Sequence, residues 1–142
     1  MVFSNSTEYA IRAVTHLALL PAGTLAGAGD ISRAENIPMP FLWKILQKLC
    51  RRKLVRSFKG LHGGYELARP ADQITLHDLV AATNGNELEG NCILGLAHCD
   101  DNKPCQLHDQ WKGIRAQMLV MLESTTIAEL ARIATLRNSG PQ

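Results

Sequence analysis

The chain has 142 residues, of which 46% are hydrophobic and 20% are charged, and its formal net charge is +2 at pH 7. This composition is typical of a globular protein and excludes a chain that is disordered throughout. The sequence contains no apolar run of about 20 residues, which excludes a membrane-spanning helix, and no cationic stretch precedes an apolar one at the N-terminus, so we expect a cytoplasmic protein.

The small net charge conceals an asymmetry along the chain. Residues 1–70 contain ten Lys or Arg and four Asp or Glu (+6), whereas residues 71–142 contain five and nine (−4). The positive charge is densest over residues 41–62, where seven basic side chains occur without an acidic one. Such a block indicates a polyanionic partner, and a solvated helix face is the alternative interpretation.

Three helices are predicted in the first part of the chain. The first begins at a pattern like a capping box, formed by Asn5 and Glu8, and stops at Pro21. A short second helix covers residues 27–35, and a turn at Asn36 separates it from the third helix.

The third helix carries much of the positive charge. Pro40 suits its first turn, because the N–H that proline lacks is not needed there, and the helix extends to about Arg52. Helical spacing divides the helix into an inward apolar face and an outward polar face. The inward face consists of Phe41, Leu42, Ile45, Leu46 and Leu49, and the outward face consists of Trp43, Lys44, Gln47, Lys48 and Arg51.

Two segments with alternating polarity, residues 54–58 and 65–67, are predicted to form a β-hairpin around the glycine-rich loop 59–64. A short helix, a turn, a basic helix and such a hairpin are typical of a winged helix-turn-helix, in which the basic helix enters the major groove of DNA. The predicted DNA contacts are Lys44, Lys48, Arg51, Arg52 and Lys59 to phosphates, Trp43 and Gln47 to bases, and His62 at the hairpin tip to the minor groove.

Helices are predicted again beyond the hairpin. Thr75 and Asp78 form a capping box that opens a fourth helix ending near Asn84, a long helix covers residues 106–123, and a final helix begins at Thr126. An apolar stripe on the long helix either packs in the core or forms the seam of a homodimer. We favour the seam, because DNA readers of this type usually act as symmetric dimers. The stripe consists of Leu107, Trp111, Ile114, Met118, Met121 and Leu122.

The segment before the long helix contains the pattern Cys92-x6-Cys99-x5-Cys105-x2-His108. Disulfides are not expected in a cytoplasmic chain, and thiolates gathered on one segment favour zinc, copper(I) or an iron–sulfur cluster. The gaps are wider than the short Cys-x2–4-Cys turns of structural zinc sites, which favours an iron–sulfur cluster over zinc. Cys50 lies beside the apolar face of the third helix and is interpreted as a structural thiol.

Three thiolates leave such a cluster one ligand short. His108 is one candidate for the fourth ligand, because a neutral imidazole binds metals. Glu8, supplied by a partner chain, is the other candidate, although its predicted role as a helix cap competes with ligation. His98 lies between two of the cysteines, and this position disfavours it.

The chain resembles the Rrf-two family of iron–sulfur winged-helix regulators, to which IscR, NsrR and RirA belong. The resemblance covers nearly the whole chain, and its most specific parts are the hairpin sequence of residues 59–65 and the sequence that follows at 67–71. It implies a mainly α fold with a small β-wing, divided into three parts. These are a winged helix-turn-helix DNA-binding domain (1–84), an iron–sulfur cluster-binding loop (85–105), and a dimerisation helix with a C-terminal helix (106–137).

The resemblance also implies the site and its ligands. The cluster, [2Fe–2S] or [4Fe–4S], would be bound by Cys92, Cys99 and Cys105. A histidine at the position of His108 is similar to the IscR arrangement, and an acidic residue at the position of Glu8 is similar to the NsrR arrangement.

The expected function is that of a transcription regulator, and a repressor is favoured over an activator. We do not expect an enzyme. Its affinity for an operator would depend on the cluster, which would sense redox state, nitric oxide, or the supply of iron or clusters. A zinc-stabilised DNA-binding regulator, with the three cysteines and His108 in a closed tetrahedral site, is the alternative. A thiol oxidoreductase is disfavoured, because the sequence lacks a Cys-x-x-Cys redox motif.

Overall fold

The fold is described here from a computed structural model, which describes residues 3–84, 102 and 106–139. Its helices surround an apolar core from which a two-stranded antiparallel hairpin projects, and this confirms the predicted mainly α fold with a β-wing. In chain order the elements are α1 (Asn5–Leu19), α2 (Ala28–Glu35), α3 (Met39–Arg51), β1 (Val55–Phe58), β2 (Gly64–Leu67), a 3₁₀ turn (Ala71–Gln73), α4 (Leu76–Asn84), α5 (His108–Ser124) and α6 (Ile127–Ser139).

The first helix is capped one residue earlier than the sequence indicates. The Ser4 hydroxyl accepts a hydrogen bond from the backbone N–H of Thr7 at 3.2 Å, so Ser4 is the N-cap and Asn5 is already helical. The predicted capping box of Asn5 and Glu8 is therefore wrong. Serine and asparagine cap helices about equally well, and the sequence alone did not distinguish the two neighbours.

The turn of the helix-turn-helix is closed by Asn36, which has a left-handed backbone with φ of 53°. The N–H of Ile37 donates to the carbonyl of Ser32 at 3.1 Å, as in a Schellman motif. The end of α3 is closed in the same way, with Lys53 at φ of 59° and the N–H of Leu54 donating to the Leu49 carbonyl at 3.0 Å.

The core of the winged domain forms where α3 packs against α1, α2 and α4. Four of the five residues predicted on the inward face of α3 are fully buried, namely Leu42, Ile45, Leu46 and Leu49. The fifth, Phe41, is more than half exposed, so its predicted inward position is wrong. Position 41 lies at the edge of the buried stripe, where the ring approaches Tyr9 of α1 with a centroid separation of 6.4 Å.

The wing is held by pairing at both ends and by a contact to the body of the domain. Val55 faces Leu67 and Phe58 faces Gly64, and the backbone N–H of Tyr65 donates to the carbonyl of Ala26 at 2.8 Å. A side chain at Gly63 would overlap the carbonyl of Phe58, which explains why this position of the loop is a glycine.

The C-terminal part returns to the winged domain. The N–H of Leu76 donates to the Thr125 carbonyl at 3.0 Å, and the N–H of Ile127 donates to the Ile74 carbonyl at 2.8 Å. Leu122 and Ile127 are fully buried in the same core as α1 and α3, and α6 packs on α1. The core of the DNA-binding part therefore includes residues from beyond position 106.

The predicted caps of the later helices are confirmed. The Thr75 hydroxyl accepts from the N–H of Asp78 at 3.2 Å, and the Asp78 carboxylate accepts from the N–H of Thr75 at 3.0 Å. The Thr126 hydroxyl accepts from the N–H of Glu129 at 3.3 Å.

Candidate nucleic-acid interface

The outward face of α3 is the centre of the candidate interface. Because the apolar residues of α3 face the core, the polar residues between them point outward: Lys44, Gln47 and Arg51 are exposed and Lys48 is half-buried. Trp43 lies on the same face with 54% of its surface exposed, which is unusual for a tryptophan without a partner molecule. The structure thus brings together the predicted base and phosphate contacts of this helix.

The wing adds a second part to this surface. Lys59 and His62, both exposed, lie in the loop between β1 and β2, as predicted. Leu61 lies between them and is 95% exposed. Sequence reasoning missed Leu61, although an apolar residue at the tip of a glycine-rich hairpin, with little core to pack against, is itself a signal.

The basic residues at the end of α3 are not all placed alike. Cations near a helix C-terminus interact favourably with the helix dipole, which favours Lys48, Arg51 and Arg52 in this turn. Arg51 continues the outward face, whereas the guanidinium of Arg52 points toward α4 and donates to the Ala81 carbonyl at 3.4 Å. The contact of Arg52 with phosphate stays a prediction.

The first helix carries a further basic side chain near α3 that the sequence analysis did not select. The guanidinium carbon of Arg12 lies 5.0 Å from the centroid of the Tyr9 ring, which in turn approaches Phe41 at the start of α3. This cation–π contact orients the Arg12 side chain. Phe41, which was predicted to face inward, is therefore in contact with α1 through Tyr9, which Arg12 contacts in turn. These three side chains connect α1 to the candidate interface.

The predicted cluster ligands are only partly described by the structure. Cys92, Cys99 and Cys105 lie outside the described residues. Of the two candidates for a fourth ligand, His108 is the first residue of α5 and is 4% exposed, and Glu8 is half-buried in the first turn of α1. Within residues 3–84, 102 and 106–139, no three His, Cys, Asp or Glu side chains group as a metal site would require.

The chemistry of these residues nevertheless fits an iron–sulfur cluster. Thiolates are the usual ligands of such clusters, and a histidine replaces cysteine in some of them. His108 is three positions beyond the last cysteine in the sequence, and its imidazole is buried at the first residue of α5. Ser4, and not a capping box with Glu8, caps the first helix. The predicted capping role of Glu8 therefore no longer competes with a role as a ligand.

An exposed basic helix, a hydrogen-bonded wing and a helix-turn-helix define a winged-helix DNA-binding protein. The family model "Rrf2: Iron-dependent Transcriptional regulator" matches residues 3–133. The chain therefore belongs to the Rrf2 family of transcription regulators and is not an enzyme.

Individual relatives agree with this assignment. A Mycobacterium tuberculosis protein named as an HTH-type transcriptional regulator is 39% identical over 132 residues, which are 92% of this chain and 81% of the relative. A protein of Aquifex aeolicus with the same type of name is 33% identical over 135 residues, covering 94% and 93% of the two chains.

Solved structures show the same fold. CymR, the global cysteine regulator of B. subtilis, superposes with a TM-score of 0.79 at 24% identity, covering 94% of this chain and 98% of CymR. IscR of T. potens superposes with a TM-score of 0.77 at 20% identity, covering 100% and 93%. None of the described helices has the length and apolarity needed to cross a bilayer.

Proposed function

We propose that this protein is a cytoplasmic homodimeric repressor whose affinity for its DNA operator depends on an iron–sulfur cluster. The observation that carries the DNA-binding part is the outward face of α3, where an exposed tryptophan lies among basic and amide side chains. Membership in a family described as iron-dependent supports the cluster.

The DNA contacts divide by chemistry. Lysine and arginine side chains neutralise phosphates and set the salt dependence of binding, whereas an amide or an indole on the groove-facing helix contacts base edges. Trp43 and Gln47 would contact bases, and His62 would reach the minor groove from the wing. The phosphate contacts would be Lys44, Lys48, Arg51, Arg52 and Lys59.

The cluster would be held by Cys92, Cys99 and Cys105, with His108 or Glu8 of the partner subunit as the fourth ligand. When bound, it would supply a centre that responds to redox state, nitric oxide, or the supply of iron or clusters. The described contacts support a structural connection between the cysteine segment and the recognition helix α3. The segment that contains the cysteines follows α4 in the chain, and the first of them is Cys92. The last turn of α4 is bonded to the start of α1, and its body packs on α3.

Exposed apolar side chains support the homodimer. On α5 and α6 several large apolar residues that would be buried in a stable core are about half exposed or more, which is typical of an interaction surface. They are Ile114, Val120 and Met121 on α5, and Ile133 and Leu136 on α6. Two recognition helices related by a two-fold axis would read half-sites about one helical turn apart.

The test begins with protein purified without oxygen, its visible spectrum, its iron and zinc content, and titration of operator-length DNA before and after the cluster is bleached. We expect a coloured protein whose DNA affinity changes on bleaching, and a Cys92→Ala variant that is colourless and insensitive to the treatment. Cys50→Ala is the matched control and should stay coloured. A colourless protein that holds zinc and binds DNA regardless would contradict the cluster proposal and support the zinc-stabilised alternative.

A further inference from the structure

A concave site lies at the base of the wing, between the end of α3, the first residues of β1 and the segment after β2. Its volume is about 640 Å³, within the range of small-molecule sites. The described residues that line it are Cys50, Arg52, Lys53, Val55, Arg56, Ala68 and Arg69. We call this cavity the wing-base pocket.

The wing-base pocket is strongly cationic. Four of its seven lining residues are Lys or Arg, and none of the seven is acidic. Two acidic groups touch the edge of this set: Glu66 pairs with Arg56 at 3.0 Å, and Asp78 lies 3.8 Å from Arg69. These two carboxylates offset half of the positive charge at most, so the pocket keeps a surplus that favours an anionic ligand.

One donor of a residue that lines the pocket has no acceptor among the described residues. The Nε of Arg69 is buried and has no hydrogen-bond partner among the described residues, although a buried guanidinium donor is costly to leave unpaired. An anionic oxygen that reaches this nitrogen would satisfy it. The neighbouring Arg52, whose guanidinium donates to the Ala81 carbonyl at 3.4 Å, is a second charged donor that lines the pocket.

The backbone at Lys53 supports the same conclusion. Lys53 and Asn36 occupy equivalent left-handed positions after two helices. Asparagine and glycine are favoured at such positions, and a lysine there is strained. Strained residues cluster at ligand-binding sites, where the side chain has a use that outweighs the backbone cost.

The wing-base pocket shares one residue, Arg52, with the candidate DNA interface and is otherwise separate from it. Neither Lys59 nor His62 lines it, and Trp43 and Lys44 do not either. Val55 in the pocket lies three residues from the end of β1 at Phe58, a distance of about 10 Å along an extended strand. The tip of the wing lies farther along in the same direction.

We propose that the wing-base pocket binds a small molecule with at least two anionic oxygen groups, of the phosphate or carboxylate class. One group would pair with Arg69 and Arg56, and the other with Lys53 and Arg52. Val55, Ala68 and the Cys50 side chain would contact the apolar part of the ligand. This binding site is additional to the cluster and to the DNA interface, with which it shares Arg52 alone.

Isothermal titration of the full-length protein, in a buffer that contains neither phosphate nor a carboxylate, tests this proposal with two probes, pyrophosphate and citrate. We expect at least one probe to bind one site per chain, and the comparison of the two separates phosphate from carboxylate recognition. Lys53→Asn and Arg69→Gln should weaken this binding about tenfold or more, because each removes a charged hydrogen-bond donor.

Arg33→Gln is the matched control, since it removes one positive charge from an exposed side chain of α2 outside the pocket. It should leave the binding of either probe unchanged. Asn tolerates the backbone of position 53, so the Lys53→Asn variant is expected to fold, and its unfolding curve checks this. The proposal is overturned if neither probe binds the wild-type chain, or if Arg33→Gln weakens binding as much as Lys53→Asn does.

A contact of the pocket with the DNA backbone is the competing explanation of its charge. In that case Lys53→Asn and Arg69→Gln would each lower DNA affinity relative to Arg33→Gln. Each would also reduce the slope of log K against log salt concentration by about one. That result without probe binding would overturn the proposal of a small-molecule site. We expect instead that these variants retain the DNA affinity of the control.

Discussion

The hydroxyl oxygens of Thr7 and Thr83 lie 2.6 Å apart and join the first turn of α1 to the last turn of α4. Thr7 is fully buried, and the hydroxyl of Thr83 also lies 2.8 Å from the Leu79 carbonyl. Beside this pair, Ser4 donates to the side-chain oxygen of Asn84 at 2.6 Å. The point at which the chain leaves α4 toward the three cysteines is therefore fixed against α1.

Replacement of Thr83 by Val is expected to lower the free energy of unfolding by about 1–2 kcal/mol, because it leaves the buried hydroxyl of Thr7 without this partner. The double variant Thr7→Val/Thr83→Val should cost less than the sum of the two single changes, since the pair interacts directly. Urea denaturation measures both. Ser124→Ala, an exposed hydroxyl at the end of α5, is the control and should change stability little. Strict additivity of the two threonine changes would contradict the coupling.

Trp43→Ala and Lys44→Gln are expected to affect DNA binding in different ways. Loss of an exposed base contact should lower the ratio of specific to non-specific affinity about tenfold and leave the salt dependence unchanged. Loss of a phosphate contact should weaken binding to all sequences about equally and reduce the slope of log K against log salt by about one. Titrations of operator and random DNA at several salt concentrations measure both effects. Equal loss of affinity on both DNAs for Trp43→Ala would exclude a role in sequence recognition.

The two left-handed residues are expected to respond to substitution with opposite signs. Lys53→Gly should raise the free energy of unfolding by about 0.5–1 kcal/mol, because glycine relieves the strained backbone at the end of α3. Asn36→Ala should lower it by about 1 kcal/mol, because alanine is disfavoured in that conformation. Urea unfolding curves measure both changes. A loss of stability in Lys53→Gly would show that the lysine side chain contributes more to folding than its backbone strain costs.

The thiol of Cys50 is expected to react slowly with alkylating reagents. Burial raises the pKa of Cys50, and the hydrogen bond with the Ser57 side chain lowers the pKa by less. The thiol is therefore favoured over the thiolate in the folded protein. The contribution of Cys50 to the free energy of unfolding is present below its unfolded-state pKa and is lost as the pH rises through its higher folded-state pKa. Peptide-resolved mass spectrometry at increasing pH measures the rate for this cysteine.

Ser57→Ala should slow the alkylation of Cys50 further at a given pH, because it removes the hydrogen bond that favours the thiolate. The same protein unfolded in urea is the control, and there the two variants should react at equal rates. A faster reaction of Cys50 in folded Ser57→Ala would show that access to the thiol, and not its pKa, limits the rate.

The sequence was most informative where one local pattern determines the structure. The spacing of apolar residues in α3 identified four buried positions, and the reciprocal pattern of Thr75 and Asp78 identified a capping box with both hydrogen bonds in place. The glycines between the two alternating segments indicated a wing. The structure explains one of them, since a side chain at Gly63 would have no room. These features depend on neighbours that are close in the chain.

The predictions that failed depend on residues distant in the chain or on a choice between neighbours. Phe41 fits the apolar spacing of α3, but its exposure depends on how far Tyr9 of α1 covers it. The pocket that contains Arg52 and Arg69 forms only when the end of α3 and the segment after β2 come together, and no local pattern predicts this. The division of the chain into the parts 1–84, 85–105 and 106–137 stays a prediction. The buried core includes residues of both the first and the third part.

The return of residues 122–127 to the winged domain has a consequence for synthesis of the protein. Because chains are made from the N-terminus, α1 and α3 leave the ribosome long before Leu122 and Ile127, which complete their core. A nascent or prematurely terminated chain would thus carry the whole recognition helix on an incomplete core. The order of translation therefore leaves the core of the DNA-binding unit incomplete until the region that carries the cysteines has also been made.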